Sequence, residues 1–105
     1  MKLEELVATR IKTAREAKGL SQDALGVLAG IEEATAKVRI HQYEHGKHSP
    51  PFSMLVRIAA ALDLPATWFI CDEGTQELML ALHKLPESER TEALKSIKLL
   101  LTTKS

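Results

Sequence analysis

Apolar residues recur at intervals of three and four along most of the chain, which is the spacing of helices with one buried face. The first such stripe consists of Leu3, Leu6, Val7, Ile11 and Ala14. Glycine and proline residues interrupt the pattern and divide it into segments. The helices predicted in this way cover residues 3–18, 22–29, 35–45, 52–62, 65–70, 75–85 and 87–102. The pattern therefore predicts an all-α protein.

The segment from Arg15 to Pro50 carries the strongest functional signal. Gly19 ends the first helix, and Ser21 is placed to cap the second. The third helix is closed by Gly46 and has two contrasting faces. Its apolar face consists of Ala36, Ile40 and Tyr43, and its opposite face carries Val38, His41, Gln42 and His45. Such a pair of helices is typical of a helix-turn-helix, in which the second helix reaches the base edges of DNA.

Composition narrows the protein class. A length of 105 residues suits one compact domain. Cys71 is the only cysteine, so no internal disulfide is possible and a reducing compartment is favoured. No apolar run is long enough to span a membrane, and the N-terminus lacks the apolar core of a signal peptide. These features predict a cytoplasmic protein.

The charge of the chain gives only weak support to nucleic-acid binding. The formal net charge is zero. Residues 1–51 hold eight Lys/Arg and seven Asp/Glu, whereas residues 52–105 hold six and seven. Any contact with DNA is therefore expected to come from a local patch and not from the field of the whole protein.

An ordered set of residues, and no single motif, points to a known family. The set comprises Ile11, Ala14, Arg15, Gly19–Gln22, Leu25, Gly30, Ile31, Ile40, Tyr43–Lys47, Pro50, Leu55, Ile58, Ala59, Ala61, Leu62, Trp68 and Phe69. It resembles the Cro/cI-type helix-turn-helix family, also called the XRE family. The resemblance implies a DNA-binding transcriptional regulator with a five-helix, lambda-repressor-like domain over residues 1–71. Residues 72–105 would form a C-terminal helical extension.

One spacing departs from the family pattern. Gly30 and Glu44 are fourteen positions apart, about four more than the family usually shows. The added residues lie within Ile31–Ala36. Either the turn before the third helix is enlarged or that helix begins earlier. The reading positions are therefore assigned by counting backward from Glu44.

Counted in this way, Lys37, Val38 and Gln42 fall at the base-reading positions of the family. Glutamine can bond adenine, lysine can reach guanine acceptors, and Val38 can contact a thymine methyl group. Packing of Val38 against an enlarged turn is an equally good interpretation. Arg39 and His41 can reach bases or phosphates, or can lie on a solvated helix face.

The resemblance also implies contacts to the DNA backbone and one structural ion pair. The expected phosphate contacts are Ser21, Gln22, Lys47, His48 and Ser49. Simple capping of the second helix by Ser21 is compatible with this role. The implied ion pair joins Arg15 to Glu44 and would tie the first helix to the end of the third.

Other chemistry has less support. His41, His45 and His48 have a spacing that suits a transition metal, but Gly46 ends the helix before His48, so no metal site is expected. Cys71 follows an apolar run and is interpreted as a small core residue. The chain shows no nucleophile motif, phosphate loop or paired acid and base, so neither enzyme activity nor a cofactor is expected.

The leucine-rich extension can complete the core of the monomer or build a two-fold dimer. Dimerisation is favoured, with Leu94, Ile97, Leu100 and Leu101 as the predicted interface. The predicted function is a repressor that binds a palindromic operator in double-stranded DNA as a homodimer. An antitoxin that binds a toxin, or another protein-interaction module, is the main alternative for the same fold. A domain that has lost DNA binding and serves only assembly is a third.

Overall fold

The helical periodicity corresponds to six α-helices and one 3-10 helix within residues 2–103, the part of the chain that the computed structural model describes. The α-helices are α1 (Leu3–Ala17), α2 (Gln22–Leu28), α3 (Glu33–Glu44), α4 (Phe52–Ala61), α5 (Glu73–Lys84) and α6 (Glu87–Thr103). The 3-10 helix (Ala66–Phe69) lies between α4 and α5. These residues contain no strand, so the all-α expectation is confirmed.

One apolar core holds α1 to α4 and the 3-10 helix together. The largest side chains in it have no solvent exposure, and they are Ile11, Leu25, Ile40, Ile58, Leu62 and Phe69. Complete burial of a side chain of this size stabilises the fold by about 1.5–3 kcal/mol. Because every one of these elements contributes at least one such residue, the core fixes the position of α3 against α1 and α2.

Leu28 corrects one expectation from the periodicity. Its spacing of three residues from Leu25 predicts a buried position on α2, but Leu28 is 60% exposed. The inward face of α2 is set by Leu25, Gly26 and Ala29, which are all buried. At 100° per residue, Leu28 points about 110° away from the centre of that face.

Helices α2 and α3 pack closely where Gly26 of α2 faces Ala36 of α3. A Cβ atom added at Gly26 would lie 2.6 Å from the Ala36 Cβ and 3.0 Å from the Ala36 Cα. Ala36 itself is fully buried. The glycine costs helix stability relative to alanine, and this close approach explains why it is present.

The added residues before α3 lengthen the helix and do not enlarge the turn. The sequence pattern placed the start of α3 at about Thr35, but the helix begins at Glu33. Only residues 29–32 connect α2 to α3, and within them Ile31 is buried and its N–H donates to the Gly26 carbonyl at 2.9 Å. Of the two possibilities that the spacing left open, the earlier helix start is the one observed.

Side-chain hydrogen bonds fix the junction between the body and the C-terminal extension, and the turn between the two helices of the extension. Arg10 of α1 is buried, and its guanidinium donates to the carbonyls of Trp68, at 3.1 Å, and Cys71. Gln76 of α5 donates to the same Trp68 carbonyl at 2.9 Å. Arg90 of α6 donates to three carbonyls at the end of α5, at 2.9–3.1 Å. These carbonyls lie in or just after the last turn of a helix, where backbone N–H partners are scarce.

Helix α6 packs mainly on α5, and none of its residues is buried. The described part of the chain is correspondingly elongated, with principal extents of 52 × 30 × 22 Å. Leu94, Leu100 and Leu101 remain 42%, 63% and 66% exposed. The extension therefore does not use these leucines to complete the core of its own chain.

Replacement of Gly26 by alanine tests the close approach of α2 and α3. The added Cβ would force the Ala36 backbone away, and because a 2.6 Å contact cannot be accommodated without such a shift, the cost lies in the upper part of the usual range for overpacking, at about 2–3 kcal/mol. Alanine regains about 1 kcal/mol through its higher helix propensity. We expect the free energy of unfolding, measured in urea, to fall by about 1–2 kcal/mol in Gly26→Ala.

Gly74→Ala is the matched control, because a Cβ at Gly74 of α5 would meet nothing nearer than Asp72 Oδ1 at 3.7 Å. This variant should be as stable as the wild type or more so. An unchanged stability in Gly26→Ala would contradict the packing described for α2 and α3.

Candidate nucleic-acid interface

A bidentate ion pair connects α1 to the end of α3. Arg15 Nε lies 2.6 Å from Glu44 Oε2, and a second guanidinium nitrogen lies 3.0 Å from Glu44 Oε1. The Glu44 side chain has no solvent exposure, and that of Arg15 has 12%. Two parallel N–H···O bonds of this kind fix the relative orientation of both groups. The pair therefore holds α3 at a defined position on α1.

The corner between α1 and α2 takes part in the same network. Arg15 also donates to the Leu20 carbonyl at 2.8 Å, and Gln22 Nε2 donates to Glu44 Oε1 at 3.1 Å. The hydrogen bond to Glu44 is the largest influence that raises the pKa of Arg15 above its usual value. Since a buried carboxylate is stable only when it is paired and hydrogen-bonded, Glu44 joins α1, α2 and α3 at one point.

The outward face of α3 is defined by Lys37, Val38, His41, Gln42 and His45. Lys37, Val38, His41 and His45 are exposed, and Gln42 is half-buried. Val38 is 58% exposed, although it is apolar. Because the turn before α3 is short, no enlarged loop covers Val38. The surface thus combines donors, acceptors and an apolar group, which are the chemical types that read base edges in a major groove.

Arg39 lies on the flank of α3, where it has an intramolecular partner. Its guanidinium donates to the Tyr43 hydroxyl at 3.0 Å, and its central carbon lies 6.0 Å from the centre of the Tyr43 ring. The buried ring of Tyr43 therefore orients the arginine. Arg39 thus lies beside the outward face, and its expected contact with a base or a phosphate stays a prediction.

Two histidines on the outward face form a stack. The rings of His41 and His45 have centroids 3.9 Å apart and planes inclined by 27°. His45 Nδ1 lies 2.9 Å from the His41 carbonyl oxygen. Because a carbonyl only accepts, this nitrogen carries the proton of the bond. The ring of His45 is thereby oriented before any ligand is bound.

The N-terminus of α2 is already partly satisfied within the protein. Ser21 Oγ accepts from the Ala24 N–H at 3.2 Å, as a capping residue does. A hydrogen bond with the Ser21 side chain is the largest influence that lowers the pKa of Asp23, with smaller contributions from backbone N–H groups and Lys37. The Asp23 carboxylate therefore competes with a phosphate for this helix end.

The loop after α3 places Lys47, His48 and Ser49 in solvent. Gly46 has a φ of +71°, a left-handed conformation that suits glycine and closes the helix. The Lys47 N–H donates back to the Gln42 carbonyl at 3.1 Å, so the backbone of Lys47 is fixed to the last turn of α3. All three side chains are exposed directly beyond the outward face.

The structure also bears on metal binding and on membrane insertion. Among the residues described, no three histidine, cysteine or carboxylate side chains converge on a point that could hold a metal ion. Within residues 2–103, no helix is both long enough and apolar enough to cross a membrane.

Sequence reasoning missed the buried Arg10 and the stacked ring of His45. Arg10 lies on the buried side of α1 between Val7 and Ile11, which was a signal that it has acceptor partners in the interior. Those acceptors lie some sixty positions away, at Trp68 and Cys71, and no local pattern predicts them. His41 and His45 are four residues apart on one helix face, and that spacing does permit a stack.

A helix bundle with a short α2–α3 corner and an exposed, chemically mixed face on α3 defines a helix-turn-helix protein. The helix-turn-helix family model matches residues 11–69, which is more than half of the chain. The chain therefore belongs to the helix-turn-helix family, within its XRE-type group of DNA-binding transcription regulators.

A solved structure supports the same assignment. The transcriptional regulator BswR is 34% identical in sequence and superimposes with a TM-score of 0.75. The alignment covers 93% of this chain and 98% of the BswR chain, so the similarity reaches beyond the residues of the family model. No curated protein matches the chain.

Replacement of Glu44 by glutamine tests the ion pair. The amide keeps the shape of the side chain but leaves the Arg15 guanidinium without a counter-charge in a largely buried position. Removal of one member of a buried pair costs about 3 kcal/mol or more. We expect the free energy of unfolding of Glu44→Gln in urea to fall by about 3 kcal/mol.

The same substitution at the exposed Glu77 of α5 is the control and should change the stability little. If Glu44→Gln and Glu77→Gln are equally stable, the network at Glu44 does not hold the three helices together.

Proposed function

We propose that this regulator is a repressor that binds a palindromic operator as a homodimer. The observation that carries the proposal is the outward face of α3, which is exposed and is held on the body by the Arg15–Glu44 pair. An element that reads DNA has to combine this accessibility with a fixed position, because a small displacement loses the hydrogen bonds to the bases.

In this proposal, α3 enters the major groove and reads bases through four side chains. Gln42 bonds adenine, and Lys37 reaches the acceptors of guanine. Val38 contacts a thymine methyl group, a role that its 58% exposure supports. His41 reaches a base beside them, whereas Arg39 contacts a base or a phosphate from the flank of the helix.

The phosphate contacts come from the two sides of α3. Lys47, His48 and Ser49 follow the helix and bind one strand of the backbone. Ser21 and Gln22 bind from the N-terminus of α2. Gln22 uses one amide N–H for Glu44, and its second N–H is available for a phosphate because the group has two. Such contacts position the protein without reading sequence.

The extension, residues 72–105, supplies the dimer interface in this proposal. Leu94, Leu100 and Leu101 are exposed on α6, and Ile97 is half-buried. Mutual burial of these side chains around a two-fold axis would remove their apolar surface from water. It would place two copies of α3 about 34 Å apart, one turn of the DNA helix. A dimer bound to a promoter prevents other proteins from binding the same DNA, which is how a repressor acts.

Substitutions at Gln42 and Lys47 separate base reading from backbone contact. Gln42→Ala should relax the preference at one base position by about 1–3 kcal/mol. Lys47→Ala should weaken binding to all sequences alike and reduce the slope of log K against log salt by about 1. Fluorescence anisotropy on a set of single-base operator variants, at several salt concentrations, measures both effects.

Each variant is the control for the other, because Gln42→Ala should change the sequence preference and Lys47→Ala should change the overall affinity and its salt dependence. If Gln42→Ala weakens all duplexes equally, Gln42 does not read a base. If the wild type shows no sequence preference among genomic fragments at low salt, the proposed function is wrong.

The dimer interface can be tested with charges on two faces of α6. Leu101→Glu should convert the dimer to a monomer, because two carboxylates would have to be buried at the two-fold axis. Leu99 is also 66% exposed, but it points about 160° away from Leu101 around the helix. Leu99→Glu should therefore leave the dimer intact. Light scattering at micromolar concentration measures the mass of each.

A monomeric wild type in this measurement would contradict the homodimer. Copurification of a small toxin with the wild type, lost in Leu101→Glu, would instead support the antitoxin alternative.

A further inference from the structure

His45 is the histidine whose ring is held most firmly on the outward face of α3. Its Nδ1–H donates to the His41 carbonyl at 2.9 Å, and its ring stacks on that of His41. With Nδ1 used in this way, Nε2 is the only ring nitrogen left for another partner. The side chain is exposed, so Nε2 is accessible to solvent.

The position of His45 favours a positive charge on this ring. His45 is the C-cap residue of α3, and a cation at the C-terminus of a helix is stabilised by the helix dipole. Protonation adds an N–H at Nε2 and leaves the Nδ1–H bond intact. Histidine is the residue type whose charge ordinarily changes between about pH 5 and 8.

No anionic group of the described chain is in place to pair with that charge. Within residues 2–103, no carboxylate oxygen lies within 4 Å of a ring nitrogen of His41 or His45. From α1, Arg15 is directed at this end of α3 but is paired with Glu44. From α2, Asp23 interacts with Lys37, about two turns before His45. The loop beyond contributes only Lys47 and His48.

We infer that His45 binds a DNA phosphate through Nε2 as an imidazolium, so that DNA binding takes up a proton. The inference rests on the proposed function, in which α3 lies in the major groove. In that arrangement the base-reading residues of α3 end at Gln42, and the backbone contacts begin at Lys47. His45 is the C-cap residue between them, next to Lys47 and His48, and this position places it beside the backbone. The proton comes from solvent, and the Nε2–H donates to a phosphate oxygen.

A phosphate beside Nε2 makes this proton uptake depend on DNA, because an anion close to the ring stabilises its charged form. The chain has no net charge at neutral pH, and an added proton on the outward face increases its attraction to DNA.

The test is the pH dependence of DNA affinity in His45→Gln. The probe is a duplex selected from random DNA or, if selection enriches no sequence, a duplex of mixed sequence. For the wild type we expect the affinity to fall about tenfold between pH 6 and pH 8. His45→Gln keeps a polar side chain but cannot be protonated, so most of this fall should disappear.

His83→Gln is the control. His83 lies on α5 with Nε2 3.1 Å from the exposed Asp63, away from the outward face. It should retain the dependence of the wild type. On the selected duplex, replacing the two symmetry-related phosphates of each position together by neutral methylphosphonates should identify one position that also removes the dependence.

Three results would overturn the inference: an unchanged pH dependence in His45→Gln, no dependence in the wild type, or no sensitive phosphate in the methylphosphonate series. These results differ from failure of the proposed function. Loss of sequence preference contradicts base reading by α3, whereas a specific but pH-independent protein contradicts only the role of His45.

Discussion

The fold of this regulator depends on how a fully buried carboxylate is satisfied. Glu44 accepts two hydrogen bonds from Arg15 and one from Gln22, and these donors belong to α1 and α2. Buried ion pairs often add little net stability compared with apolar side chains. The value of this pair lies in its geometry, because it fixes the end of α3 against two other helices. The Gly26–Ala36 contact fixes the middle of α3 in the same way.

Local patterns in the sequence predict most of the fold but not its long-range contacts. The stripe of α1 specifies its buried face, because Val7, Ile11 and Ala14 recur at intervals of four and three and are all buried. The start of α3 was uncertain because no capping side chain precedes Glu33. It is set by the burial of Ile31 and by the packing of Ala36, which involve other elements. The partners of Arg10 could not be predicted for the same reason, since its acceptors lie on the distant 3-10 helix and the residues after it.

The candidate site shows how a chain without net charge can bind DNA through local groups. The second helix contributes little positive charge, since Asp23 lies at its N-terminus. The cationic groups are concentrated on α3 and in the loop after it, at Lys37, Arg39 and Lys47. The Arg15–Glu44 pair was implied by family resemblance, whereas the histidine stack emerged only from the structure. The fold fixes the position of α3, which carries the proposed base-reading side chains. The bases that these side chains contact are not part of the protein, so the contacts do not follow from the fold.

The most direct test of base reading by α3 is a selection of bound sequences from random DNA. A dimer that presents two copies of α3 should enrich two-fold symmetric sequences. Their half-sites should be centred about one helical turn apart, or roughly 10 base pairs. A bound pool that stays as random as the starting library would contradict the account, because α3 would then bind only the backbone or no DNA at all.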